Sequence, residues 1–127
     1  MGNDEDLQAA YAMRRRILGD AYVDSVTADD DPAAKAFQDH LTGMAWGVWT
    51  REGPLSLRDR SLLVLAMTAA TGRMDEFKLH AAASHRAGVT DDELDELLFQ
   101  IAAYAGGPAA VGARRELKAI RAERDGS

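Results

Sequence analysis

Apolar residues recur along this chain with the 3.6-residue period of amphipathic helices, and no segment alternates as a strand would. Leu7 to Leu18 reads as a first helix closed by Gly19, after a polar stretch at residues 1–6 that is expected to fray. Residues 19–30 show no period and read as a linker. Asp31-Pro32 is a helix start, with an acidic cap and proline in the first turn, and Phe37, Leu41, Met44 and Val48 follow as an apolar stripe as far as Gly53-Pro54. Ser56-x-x-Asp59 resembles a capping box. The run Ser61 to Met67 behind it is apolar on every side, so that helix is either central or covered by a partner subunit. Thr71-Gly72 breaks it.

A short helix through Glu76 and His80 should run to Ala87 and stop at Gly88. Thr90-x-x-Glu93 is a full capping box, and Leu94, Leu97, Leu98, Ile101 and Ala105 form the regular apolar face behind it. Gly106-Gly107-Pro108 turns the chain into a last helix that should end near Arg121, with a disordered tail from residue 123. The pattern therefore predicts an all-α protein of about six helices, a single domain over residues 1–127.

Composition sharpens this picture. Of 127 residues, 46% are hydrophobic but only 6% aromatic, so the core should be leucine and alanine in closely packed helices. There is no cysteine, which removes disulfides, thiolate metal sites and thiol redox chemistry. No apolar run reaches membrane-spanning length and no leader-like segment opens the chain, so a soluble, cytoplasmic protein is expected. The formal charge of -6 argues against nucleic acid or an anionic membrane as partner. It leaves room for an anionic small molecule, because clustered arginines offset the overall field locally.

The strongest chemical signal is Gly72-Arg73-Met-Asp-Glu76-Phe-Lys-Leu-His80. Arg73, Glu76 and His80 stand at i, i+3 and i+7, one helix face, set among alanines that suit a cavity wall. Glu76 can accept the imidazole N–H of His80 and fix its tautomer; the plainer reading is an ordinary surface pair. His85, beside Arg86 at the helix end, and His40, off the apolar stripe, read as surface residues. No histidine spacing suits a metal. Trp46 and Trp49 either wall a pocket or fill a core or interface. Arg51, Arg58 and Arg60 flank Gly53-Pro54, and Arg60, entering the apolar helix, is placed to meet a carboxylate. The turn at Gly106-Gly107 allows a close helix approach that would carry Tyr104 toward the site. Arg14-Arg15-Arg16 reads as a solvated or intersubunit patch.

Several motifs together resemble a known family. Tyr11-Ala-Met-Arg-Arg-Arg-Ile-Leu-Gly-Asp-Ala-Tyr-Val-Asp24, Ala45-Trp46-Gly47, Trp49-Thr50-Arg51, Arg60-Ser61-Leu62, Glu76-Phe-Lys-Leu-His80, Gly88-Val89-Thr90, Tyr104-Ala105-Gly106 and Pro108-Ala109-Ala110 are similar, in order and spacing, to the carboxymuconolactone decarboxylases. The resemblance runs from residue 11 to about residue 120. It implies an AhpD-like helical fold, assembled as a homo-oligomer (trimer or hexamer). The implied activity is cofactor-free decarboxylation of 4-carboxymuconolactone to 3-oxoadipate enol-lactone, in the protocatechuate branch of the β-ketoadipate pathway of aromatic catabolism. The AhpD-like peroxidases of the wider superfamily carry two cysteines upstream of a histidine. Arg73 and Glu76 occupy those two positions here, with His80 at the histidine, so a thiol peroxidase is excluded on chemistry.

On this resemblance His80 and Glu76 are the expected catalytic pair. Arg60, Arg73, Arg51, Trp46, Trp49 and Tyr104 are expected to bind the substrate, and no metal or cofactor is expected. The chain departs from the family pattern at Met44, where a histidine is frequent, at Val111, where an asparagine is common, and in a Trp46–Trp49 segment one residue shorter. These departures bear on the substrate more than on the fold. They leave a decarboxylase or isomerase for another lactone or ring-containing acid as the alternative, and a non-catalytic binding protein behind it.

Overall fold

Three capping signals read from the sequence set three of the helix starts in the computed structural model, which describes residues 3–126. Asp31 accepts hydrogen bonds from the backbone N–H groups of Ala33 (3.1 Å) and Ala34 (3.2 Å), with Pro32 in the first turn. Ser56 accepts from Asp59 N–H (3.0 Å) while the Asp59 carboxylate accepts from Ser56 N–H (3.1 Å). Thr90 and Glu93 make the same reciprocal pair at 3.1 and 2.9 Å. Each satisfies N–H groups that a helix start leaves without an internal acceptor.

Among the described residues the fold is all-α, as expected for an AhpD-like chain: seven α-helices and one 3₁₀ turn. They divide into two compact units, Met1–Pro54 and Leu55–Ser127. The first holds α1 (Asn3–Leu18), α2 (Asp20–Val26) and α3 (Pro32–Trp49). The second holds α4 (Leu57–Ala70), α5 (Met74–Ala83), a 3₁₀ turn (Ser84–Ala87), α6 (Asp91–Ala105) and α7 (Gly107–Arg124).

In the first unit α1 packs along α3 through polar residues. Tyr11 Oη donates to Asp39 at 2.6 Å. Arg14 donates to Gln38 (2.8 Å) and Thr42 (2.9 Å) and is only 5% exposed. This corrects the solvated-patch expectation for Arg14. It continues the buried stripe of Ala10 and Ile17, whereas Arg15 pairs at the surface with Asp20 and Asp24 and Arg16 is exposed. The network also decides which side of α3 is buried. Thr42, Trp46 and Trp49 are inside, while Phe37 (60%), Met44 (59%) and Val48 of the expected apolar stripe are exposed. Residues 20–26, expected to be linker, form α2, which starts directly after Gly19 at φ 92° and ends with the Thr27 hydroxyl donating to Val23 O at 2.7 Å.

The second unit is built on an apolar core. Leu65 and Ala69 of α4, Phe77 and Ala81 of α5, Val89, Leu94 and Ile101 of α6 and its approach, and Ala113 and Leu117 of α7 form one buried cluster. Complete burial of one leucine or phenylalanine side chain contributes roughly 2 kcal/mol, so these contacts carry the unit. The α4–α5 turn, Thr71-Gly72-Arg73, needs Gly72 at φ 76°, and the turn before α6 needs Gly88 at φ 95°; both are left-handed conformations that favour glycine.

The ends of the chain are more ordered than the polar sequence suggests. α1 begins at Asn3 with three carboxylates, Asp4, Glu5 and Asp6, in its first turn, where they favour the helix dipole. α7 continues through Arg124. Arg121 reaches Asp95 (2.8 Å) and Arg124 reaches Asp91 (3.0 Å), tying the last turn of α7 to the first turns of α6. Residues 1, 2 and 127 of the expected frayed ends lie outside the described residues. No helix among the described residues is long and apolar enough to cross a membrane.

Candidate active site

Arg73 is the N-cap of α5, one residue before the helix, and is exposed. Glu76, in the first turn, is exposed as well, whereas His80, in the last turn, is half-buried with its Nδ1 atom fully shielded from solvent. The three residues that share a face by spacing therefore differ in depth, and only the imidazole reaches inward. Its neighbours on α5, Phe77 and Ala81, belong to the core cluster. Removal from water disfavours the imidazolium and lowers the His80 pKa to about 4. At neutral pH the ring is uncharged, one nitrogen a donor and the other an acceptor.

His85, in the 3₁₀ turn that follows α5, is a histidine without such an environment. It is exposed, and its Nδ1 lies 3.1 Å from the Ala82 carbonyl oxygen. His40 is likewise exposed. Both surface readings agree with the structure.

Among the arginines of this unit, Arg60 enters the first turns of α4 half-buried. Arg58 is engaged in the frame: it donates to Glu93, joining the start of α4 to the capping box of α6. That hydrogen bond, with the backbone N–H of Thr90, holds the Glu93 carboxyl down at about 2. Tyr104, at the end of α6, is 86% exposed and is not covered by its own chain. In the first unit Trp46 and Trp49 are both buried, their ring centroids 5.0 Å apart and tilted by 31°. Arg51 follows the end of α3 on an exposed stretch and lines an open cleft of about 870 Å³ with Asp39, His40, Met44 and Val48. The two clefts described within the second unit, of about 650 and 400 Å³, are lined by neither His80 nor Arg60.

The buried polar residues Thr42, Ser61 and Ser84 escaped the sequence reading, and Ser61 stands apart from the other two. Ser61, directly after Arg60, is 1% exposed, and its hydroxyl has no hydrogen-bond partner among the described residues. Its spacing to Leu65 and Ala69, i, i+4 and i+8, was the available signal: a serine on the inner stripe of an otherwise apolar helix.

A half-buried imidazole in a chain without a thiol offers one hydrogen-bond donor and one acceptor, and no dithiol redox chemistry. Comparison with known proteins gives that chemistry its class. Residues 35–119 match the Carboxymuconolactone decarboxylase family, a stretch that crosses the boundary between the two units. The chain is 36% identical over 110 residues to 4-carboxymuconolactone decarboxylase of Acinetobacter baylyi, covering 86% of this chain and 81% of the relative. It is 33% identical over 102 residues to nitrosuccinic acid decarboxylase of Metarhizium robertsii, covering 80% and 71%. The protein is a carboxy-lyase by class, and the chain belongs to the Carboxymuconolactone decarboxylase family.

Proposed function

We propose that this protein decarboxylates 4-carboxymuconolactone to 3-oxoadipate enol-lactone in the protocatechuate branch of the β-ketoadipate pathway. The observation that carries the reading is the half-buried, uncharged His80 in a chain 36% identical to an enzyme of that name. The carboxylate that leaves is vinylogous to the lactone carbonyl. When the C–C bond breaks, its electron pair flows into that carbonyl and carbon dioxide departs. The resulting furanolate-like anion takes one proton on carbon, and the proton is drawn from solvent overall. The substrate is its own electron sink, so the protein has to bind two carboxylates, stabilise charge on the lactone oxygen and deliver one proton.

In this reading His80 is the donor. Two substrate carboxylates near the ring favour the imidazolium and offset the burial that keeps it neutral in the free protein. Glu76 orients the ring. Arg60 and Arg73 anchor carboxylates, with Arg51 as a further anchor. Trp46, Trp49 and Tyr104 shape the pocket and limit water while the anion exists. The exposed apolar side chains of α4, Leu63 and Met67 (60%), support assembly as a homo-oligomer; in this reading it is a trimer or hexamer that works in the cytoplasm.

A second reading is favoured by the relative that acts on nitrosuccinic acid, an acyclic acid, and by Met44 and Val111, where the family pattern differs: the same residues serve a different carboxylic acid. Carbon dioxide release from 4-carboxymuconolactone and from nitrosuccinate, measured side by side on the purified protein, separates the two. Turnover of the lactone at a kcat/KM at least ~100-fold above nitrosuccinate is expected, well within the normal range of enzyme discrimination between unlike acids. The reverse ranking moves the assignment to the second reading.

A further inference from the structure

The structure carries a buried hydroxyl that its fold does not use. Ser61 Oγ is shielded from solvent and accepts or donates no hydrogen bond among the described residues, not even to a carbonyl of its own helix. Burying a hydroxyl in this state costs free energy, and removing it to leave a methyl group is neutral or stabilising unless something else occupies the site. Buried polar atoms without a protein partner are commonly met by an internal water, which needs two or more polar groups to hold it.

The fold brings a second polar group to nearly the same level of the neighbouring helix. α4 and α5 are joined by three residues, and the 3₁₀ turn that follows α5 packs on α4 as well, so α5 returns antiparallel along α4. Counted outward from the turn, Ser61 lies about two and a half turns along α4 and His80 a little under two turns along α5, which leaves them roughly 5 Å apart along the helix axes. Ser61 continues the stripe of Leu65 and Ala69, and His80 sits between Phe77 and Ala81; all four of these neighbours belong to one core cluster. A serine hydroxyl and the shielded Nδ1 of His80 are thus two polar groups in an otherwise apolar helix pair.

We infer that Ser61 is a positioning residue for His80: its hydroxyl holds an internal water between α4 and α5 that fixes the tautomer and ring orientation of the imidazole. This rests on the reading of His80 as the reacting group given above. The water and Ser61 act on the shielded side of the ring, and Glu76 orients it from the exposed side. Ser61 does not touch the substrate, so its contribution falls on kcat and not on KM.

The test compares Ser61→Ala and Ser61→Thr with the parent protein. In Ser61→Ala the ring-nitrogen chemical shifts of His80, read by NMR at neutral pH, should move toward a different tautomer mixture. The kcat for 4-carboxymuconolactone should fall about tenfold, the scale of one lost hydrogen bond, with KM unchanged. Ser61→Thr, which keeps the hydroxyl, should restore the parent ring shifts and kcat. His80 shifts in Ser61→Ala that superimpose on those of the parent overturn the inference, whatever the activity. If the parent itself does not turn the lactone over, the decarboxylase reading fails, and the ring shifts alone still decide the role of Ser61.

Discussion

Both units of this protein bury polar side chains, and they do so to different ends. In the first unit the buried polar residues answer one another. Tyr11 donates to Asp39, and Arg14 reaches Gln38 and Thr42 across α1 and α3 through one terminal nitrogen, with its buried Nε left without a hydrogen bond. In the second unit the core is apolar: the buried Ser84 donates to the Ala81 carbonyl oxygen at 2.8 Å, whereas Ser61 Oγ has no hydrogen-bond partner among the described residues and the inner nitrogen of His80 is shielded from solvent. A satisfied buried network fixes how two helices meet. A neutral imidazole held among apolar residues keeps its ring nitrogens for other partners, which is what the proposed proton transfer requires. Burial alone does not separate structure from chemistry; what the buried group is bonded to does.

The largest expected effect on this contrast comes from Arg14. Arg14→Ala removes two hydrogen bonds and leaves a cavity between α1 and α3, and should lower stability by about 3 kcal/mol, read from urea unfolding. A loss under about 0.5 kcal/mol would show that the network is ornamental.

His80 should leave its mark on stability as a function of pH. Its pKa is about 4 in the folded protein against 6.5 when unfolded, so the unfolded chain binds the proton first as pH falls. Stability should therefore drop as pH is lowered from 6.5 to 4, by an amount of order 3 kcal/mol, and level off below. His80→Gln should flatten that limb of the curve. A parent curve already flat between these limits removes the desolvated ring from the account.

Glu93 acts lower on the pH scale. Its carboxyl is held at about 2 by Arg58 and Thr90, so the stabilisation is complete above the usual carboxylate pKa of 4.5 and is lost as pH falls toward 2. Glu93→Gln should make acid unfolding shallower in that window, followed by circular dichroism. Tyr11→Phe should cost about 1 kcal/mol, the value of one hydrogen bond, and His85→Ala, in the exposed 3₁₀ turn after the helix of His80, no more than a few tenths.

The same contrast explains what the sequence could reveal. In the second unit the hydrophobic period and the capping boxes agree, because apolar packing decides which face turns inward; the helices there fell where Ser56, Thr90, Gly72 and Gly88 placed them. In the first unit the period misleads. Phe37, Met44 and Val48 form the more regular stripe, yet Thr42 and Arg14 choose the buried side, since a buried guanidinium must find acceptors and these lie on the other face of α3. α2 was hidden for a related reason: seven residues with one buried side chain, Val23, are too short to show a period. At the site, helical spacing put Arg73, Glu76 and His80 together but said nothing of depth, which comes from the neighbouring helices. Ser61 carries no sequence signal beyond its register with Leu65 and Ala69.

The central claim is that the buried imidazole of the second unit performs the chemistry. The direct test is the kcat of His80→Gln on 4-carboxymuconolactone, followed by ultraviolet absorbance, with unfolding measured on the same preparation at neutral pH. Loss of one acid–base group predicts a kcat at least ~100-fold below the parent, with the fold intact. A folded His80→Gln protein that turns the lactone over within a few-fold of the parent would contradict the assignment.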